Sequence, residues 1–208
     1  MKKFFFILVS VLFSLILVEI LVRSFYPQSL EDYWTEKENE FGLTVNKNNY
    51  LFQNHRVKQH VATYKFGSYR NRITIQNDNF KNLPKILILG DSFTFGWLLE
   101  DEFTFVHKLQ KDNLNFHLIN SSVAGWGASS YTSFVEIFCE EINPKKIIIF
   151  INTDDFNRSI KQKYYLLKNG NLEKNRVPIK KKISNTYLDK NIPFYRFLKK
   201  NSQSFILL

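Results

Sequence analysis

A serine placed directly after a short, strongly apolar run is the first residue in this chain able to do covalent chemistry. Lys85-Ile-Leu-Ile-Leu-Gly90 leads into Asp91-Ser92-Phe-Thr-Phe-Gly96. Branched residues ending in glycine are expected of a strand buried on both faces. A serine just beyond such a strand leaves the sheet edge with its hydroxyl outward. The amides of the following turn and a helix N-terminus lie nearby to stabilise negative charge. Gly90 lets the backbone turn sharply, and Gly96 permits an unusual conformation at the exit. The same residues also describe an ordinary strand-to-helix turn in which Asp91 and Ser92 serve only as caps. The loop alone does not separate these readings.

Two further loops have matching positions. Phe116-His-Leu-Ile119 is followed by Asn120-Ser-Ser-Val-Ala-Gly125-Trp-Gly127, where small residues let a backbone N–H approach a bound oxygen. Lys146-Ile-Ile-Ile-Phe-Ile151 reads as a third buried strand and is followed by Asn152-Thr-Asp154-Asp155-Phe-Asn157, a polar loop. Helices connect the strands. Asp101 to Asp112 carries Phe105, Val106 and Leu109 at helical spacing, and Ser129 to Ile142 places Phe134, Ile137, Phe138 and Ile142 on one face. Strand–helix–strand–helix–strand over about seventy residues predicts parallel pairing and a doubly wound α/β sheet. In such sheets the chemistry gathers at the carboxyl ends of the strands, where all three loops fall.

Composition narrows the rest. Of 208 residues 44% are hydrophobic and 21 are phenylalanine, enough to fill a core. Residues 158–200 hold thirteen lysines and arginines against two acids, while the first 157 hold sixteen against seventeen. A near-neutral body thus carries a basic segment, which reads as a solvated surface; no basic-aromatic pattern marks a nucleic-acid module. Cys139 is the single cysteine, lies among apolar neighbours and reads as a small core residue. Neither cofactor nor metal is expected: no Gly-x-Gly-x-x-Gly follows a strand, and no phosphate-loop lysine or His/Cys ligand cluster is present.

Phe4 to Val22 is apolar except for Ser10, Ser14 and Glu19, with Lys2 and Lys3 before it and Arg23 after. A run of that length spans about 28 Å, close to the hydrocarbon thickness of a bilayer. A cleaved signal peptide would have a shorter apolar region and a small-x-small site, so residues 1–25 read as an uncleaved transmembrane signal anchor. The flanking lysines place the N-terminus inside and the rest outside, in a periplasmic or extracellular location. Glu19 and Arg23 are spaced for an i,i+4 pair. Residues 26–80 are polar with scattered aromatics and read as a stalk leading into short strands at a domain edge. Residues 81–208 hold the strand–helix pattern.

The three loops in this order resemble the SGNH/GDSL hydrolase family, most closely its membrane-anchored, glycan-modifying members. Gly90-Asp91-Ser92 with Thr94-Phe-Gly96 is similar to that family's first block, Asn120 to Gly125 to its second, and Asp154-Asp155 stands where the third has Asn-Asp. The likeness runs from about residue 60 to 208. It implies a three-layer flavodoxin-like fold, no cofactor, and hydrolysis of ester bonds, with acyl or acetyl groups on exported glycans as substrate. Ser92 would be the nucleophile. Its own amide, the amide of Gly125 and the side chain at position 154 would hold the oxyanion, with Asp91 and Asp155 in support.

The chain departs from that pattern twice. Asp154 replaces an Asn, and a carboxylate donates to an oxyanion only when protonated; losing one such donor costs about 10²–10³ in rate. Asn152, two residues earlier, starts about 6–7 Å away on an extended chain and is not read as its substitute. The family's Asp-x-x-His block, which supplies the general base, has no counterpart. His55 and His60 precede the first strand of the sheet, His107 belongs to a helix, and His117 opens the second strand at its amino end. Residues 164–172 and 194–205 resemble the middle of the family's domain, which implies a truncated domain whose base lies on missing elements. The competing expectation is a non-catalytic, membrane-bound scaffold or binding module in a surface-polysaccharide pathway.

Overall fold

The computed structural model describes residues 2–27, 33–38, 42–57, 60–175, 195–202 and 204–205. The basic stretch 176–194, and with it Phe194, lies outside the described residues. Of the described residues, those within Met1–Asp32, Gln53–Val61 and Lys181–Leu208 form one compact unit. Those within Tyr33–Phe52 and Ala62–Lys180 form the other.

The first unit is dominated by helix α1 (Lys2–Phe25), with a mean hydropathy of 2.9 over its most apolar window and no residue buried. It is long and apolar enough to cross a membrane. The anticipated pair near its end is present, Arg23 Nε donating to Glu19 Oε1 at 2.7 Å. Glu19 Oε2 also accepts from the Ser202 hydroxyl at 2.9 Å, just past the short helix that runs from Tyr195 to Asn201.

The second unit is built on a parallel sheet. Strands β5 (Lys85–Leu89), β6 (His117–Asn120) and β7 (Lys146–Ile149) lie in the order β6-β5-β7. Four short strands come earlier in the chain: β1 (Thr35–Lys37) and β2 (Thr44–Asn46) in this unit, and β3 (Leu51–Val57) and β4 (His60–Lys65), of which residues 53–61 belong to the first unit. Parallel registers pair Lys85 with His117 and Leu89 with Ile149. The chain steps from β5 to β6, then crosses back over β5 to β7. That reversal puts a topological switch point between the ends of β5 and β7, where a crevice opens in sheets of this type. Helices α2 (Ser92–Phe95) and α3 (Phe105–Asp112) connect β5 to β6, and α4 (Ala128–Ile142) connects β6 to β7. After β7 come α5 (Asp154–Gln162) and the antiparallel ribbon β8 (Tyr165–Lys168) and β9 (Asn171–Lys174).

One core cluster joins Leu87, Leu89 and Ile119 of the sheet to Trp126, Tyr131, Phe134 and Ile142. Each such side chain contributes about 1.5–3 kcal/mol by leaving water. In α3 the buried face is carried by Val106 and Gln110, whereas Leu109 is exposed. The Gln110 amide group meets the carbonyls of Asn113 and Phe116, so a polar residue is buried with its donors paired.

One expectation is corrected, that the third strand is buried. The short strands expected ahead of the sheet are present, and side chains from residues 33–52 and 62–66 enter the core. Trp34, Phe52, Ala62, Tyr64 and Phe66 bury themselves with Phe95 of α2 in a second cluster, and Leu43 and Val45 join the first. Aromatics spaced irregularly along short strands still meet on one face, which period counting over a helix-length window does not detect. The third strand, in turn, is not buried. Ile147 through Ile151 are 38–59% exposed, because among the described residues β7 is an edge strand that pairs with β5 alone. Its continuous apolar run has the composition of a central strand in an edge position.

Candidate functional site

The turn after β5 is held from both sides. Gly90 is buried, and a Cβ there would fall 2.1 Å from Thr94 Oγ1, so only glycine lets α2 start this close to the strand. Asp91 is the N-cap, one carboxylate oxygen accepting from Phe93 N at 2.9 Å. Ser92 is the first residue of α2 and is partly accessible. Its carbonyl accepts from the amides of Gly96 and Trp97 at 3.1 and 3.0 Å. The buried Arg72 fixes the exit, donating to the carbonyls of Phe95, Gly96 and Leu99 and to Asp101 Oδ1. Phe93, Trp97, Leu99 and Phe103 stand exposed around the serine, Phe93 by 74%.

The second loop lies against the first. Asn120 is buried at the end of β6 and donates through Nδ2 to Thr94 O at 2.9 Å, while Val123 N donates to Gly90 O at 3.3 Å. Gly125 is exposed at a φ of +82°, a conformation costly for other residues. Among the described residues its N–H has no acceptor, nor does that of Ser92. Both amides named for an oxyanion are therefore unpaired.

The third loop divides its two carboxylates. Asp155 is fully buried and accepts from the Tyr131 hydroxyl at 2.7 Å, Asn152 N at 2.8 Å and Arg158 Nη1 at 3.1 Å. Burial, then the hydrogen bond to Asp155, pushes the Tyr131 phenol well above its ordinary value, so it stays a donor. Asp154 points outward with its side chain 70% exposed, its nearest charge being Arg158 Nη2 at 4.0 Å. It is placed as a solvated first-turn acid favouring the helix dipole. Asn152 Oδ1 is occupied locally by the Thr153 hydroxyl and the Asp154 amide.

Arg158 joins all three loops. Its Nη1 donates to Asp91 Oδ2 at 2.8 Å, to Trp126 O at 3.1 Å and to Asp155 Oδ1 at 3.1 Å. The hydrogen bond it donates to Asp91 comes first among the causes that raise its pKa further. Reading the sequence missed Arg158, Arg72 and Tyr131. An arginine three residues after Asp155 on a helix was a local signal for the first; the other two act across long sequence separations and left none.

The site thus brings Ser92, Asp91, Gly125 and Asp155 into adjoining loops and leaves Asp154 at the rim. No imidazole or carboxylate among the described residues hydrogen-bonds the Ser92 hydroxyl. The histidines lie elsewhere. His107 Nδ1 meets Thr74 O at 3.2 Å, and His55 and His60 are on β3 and β4. His117 opens β6 at the end of the sheet away from Ser92. No family model, no curated protein and no solved structure matches the chain.

Proposed function

We propose that the chain is a membrane-tethered acyl-ester site of the SGNH/GDSL kind, with Ser92 as nucleophile and acyl or acetyl groups on exported glycans as substrate. The observation that carries this reading is the accessible Ser92 at the switch point, capped by Asp91, with two unpaired amides in adjoining loops. The Ser92 oxygen would attack the acyl carbonyl. The amides of Ser92 and Gly125 would receive the developing negative charge, the largest single source of rate in acyl transfer. The exposed aromatics Phe93 and Trp97 offer faces on which a sugar ring or acyl chain can lie. Helix α1 would hold the site at the outer membrane–water boundary.

A second reading follows from the Ser92 hydroxyl itself. Without a base it is a weak nucleophile at neutral pH, and Asp154 supplies no oxyanion donor. A non-catalytic module that binds acylated glycan at the same crevice fits those two facts.

Covalent trapping tests the first reading without requiring turnover. The full chain in detergent micelles is treated with a fluorophosphonate at pH 9 and the adduct mapped by mass spectrometry. The expected result is slow modification confined to Ser92 and lost in Ser92→Ala. Modification spread evenly over exposed serines, or none at Ser92, would reject Ser92 as the reactive centre. Hydrolysis of a small activated acetyl ester separates the readings. Turnover abolished by Ser92→Ala supports the enzyme, and turnover indistinguishable between the two proteins supports the binding module.

A further inference from the structure

A cavity of about 460 Å³ opens at the opposite end of the sheet from Ser92. Lys85 and His117, paired at the starts of β5 and β6, line it, and the five residues of β5 put about 15 Å between them and the serine turn. Its volume suits a ligand of sugar size.

Two buried polar atoms in its walls lack partners. Asn71 is only 5% exposed, yet its Oδ1 accepts no hydrogen bond. That oxygen rests over Gly67, another wall residue, where a Cβ would come within 2.8 Å of it. His117 Nδ1 is likewise buried and unpartnered, its ring tilted against Phe80 at 5.9 Å. An unmade hydrogen bond on a buried atom is destabilising, and both atoms are closed off as they stand, so a small turn of the Asn71 amide or the His117 ring is what would present them to a group in the cavity.

The charge on the walls is unbalanced. Lys65 hydrogen-bonds Gln76 Oε1, and Lys85 Nζ lies 4.9 Å over the Tyr69 ring. Neither ammonium has a carboxylate partner among the described residues. Arg72 also reaches this wall but is neutralised by Asp101 at 2.8 Å, and Asp78 is the one carboxylate lining the cavity among the described residues.

We propose that this cavity binds a small hydroxylated oxyanion, its anionic group between Lys65 and Lys85 and a hydroxyl donating to Asn71 Oδ1. A sugar acid and a sugar phosphate share that chemistry. The site is separate from the serine crevice and does not depend on the reading given for it.

Burial, and then Lys85, hold the His117 imidazole below its ordinary pKa. An anion beside Lys85 would offset the second cause and move the His117 ring signals more than those of His107, which touches the wall only through Thr74 O.

The test titrates glucuronate, glucose 6-phosphate and glucose into the full chain in micelles, followed by calorimetry and by NMR of labelled histidine. Saturable binding of at least one anion is expected, at least tenfold tighter than glucose, with His117 as the responding ring. The tighter anion identifies the source. Lys85→Met should weaken it at least tenfold, and so should Lys65→Met, whose exposed side chain makes misfolding no explanation. Equal affinity for glucose, no binding of either anion, an unmoved His117 ring, or undiminished binding in both lysine variants would each overturn the proposal.

Discussion

Arg158→Met tests the central electrostatic claim, since it keeps the stem and removes the guanidinium. Asp91 and Asp155, with side chains 3% and 0% exposed, then lose the cation they share. Asp91 keeps Phe93 N, and Asp155 keeps Tyr131 and Asn152 N, so neither carboxylate is stripped of donors. Breaking a buried pair from one side costs about 3–5 kcal/mol. The Arg158 side chain is 28% exposed and water can replace part of it, which lowers the expectation to about 2–3 kcal/mol. For a chain of this size each kcal/mol lowers the melting temperature by about 2–4 °C, so a drop of roughly 5–10 °C is expected. Tryptophan fluorescence on heating in micelles reads it, because buried Trp126 contributes the carbonyl that Arg158 holds. Asp91→Asn should cost less in the Arg158→Met background than alone, by about 1 kcal/mol or more. A melting shift under 1 °C, or strict additivity of the two substitutions, would refute the shared-cation account.

Gly90→Ala and Gly125→Ala separate space from backbone conformation. The first drives a methyl to 2.1 Å from Thr94 Oγ1 and should cost about 3 kcal/mol. The second meets nothing within 4 Å but carries φ +82°, for about 1 kcal/mol, and chemical unfolding giving the reverse order would count against both assignments. Burial above all pushes Tyr64 up to about 12, above the ordinary value of 10.0. A folded pKa above the unfolded one means the folded state keeps a proton the unfolded state loses, so this stability is complete below pH 10 and declines toward pH 12 by about 1.4 kcal/mol per unit. Tyr64→Phe loses the acceptor of Leu98 N, about 1 kcal/mol at pH 8, and that deficit should shrink and reverse by pH 11; a deficit constant with pH would contradict it. Carbonate washing should leave the full chain in the membrane fraction and release a chain lacking residues 1–26, whereas release of both would remove α1 as an anchor.

The sheet was legible because β5 and its neighbours carry local signals, branched apolar runs ending in Gly90 and Asn120. Strand order was not, since the pairing of Leu89 with Ile149 depends on closure over sixty residues. Ser92, Asp91 and Gly125 could be named from turn chemistry, which is local. The fate of Asp154 and Asp155 could not. Adjacent helical residues point about 100° apart, and which one turns inward depends on α4 presenting the Tyr131 hydroxyl. The aromatic cluster around Trp34 and Phe95 was hidden for a similar reason, as its members come from short strands, from residues beside them and from α2, and share no single period.

The exposure of β7 gives the Arg158 network its purpose. The third loop hangs from β7, which among the described residues has one strand neighbour and carries an apolar run partly in water, so it is held less firmly than the central β5. Strand pairing alone would let that loop drift away from the serine turn. Two contacts oppose this. Gly127 lets the first turn of α5 come close, since a Cβ there would lie 2.5 Å from Asp155 O. Arg158 then ties that turn to Asp91 and to Trp126 O. Asp91 is at once the cap of α2 and the far end of this tie, so the geometry at Ser92 is set partly by a helix that follows two strands later. Loosening α5 should therefore disturb Ser92 before it unfolds the sheet, and a fluorophosphonate rate at Ser92 that changes in Arg158→Met below its melting temperature would be the sign of it.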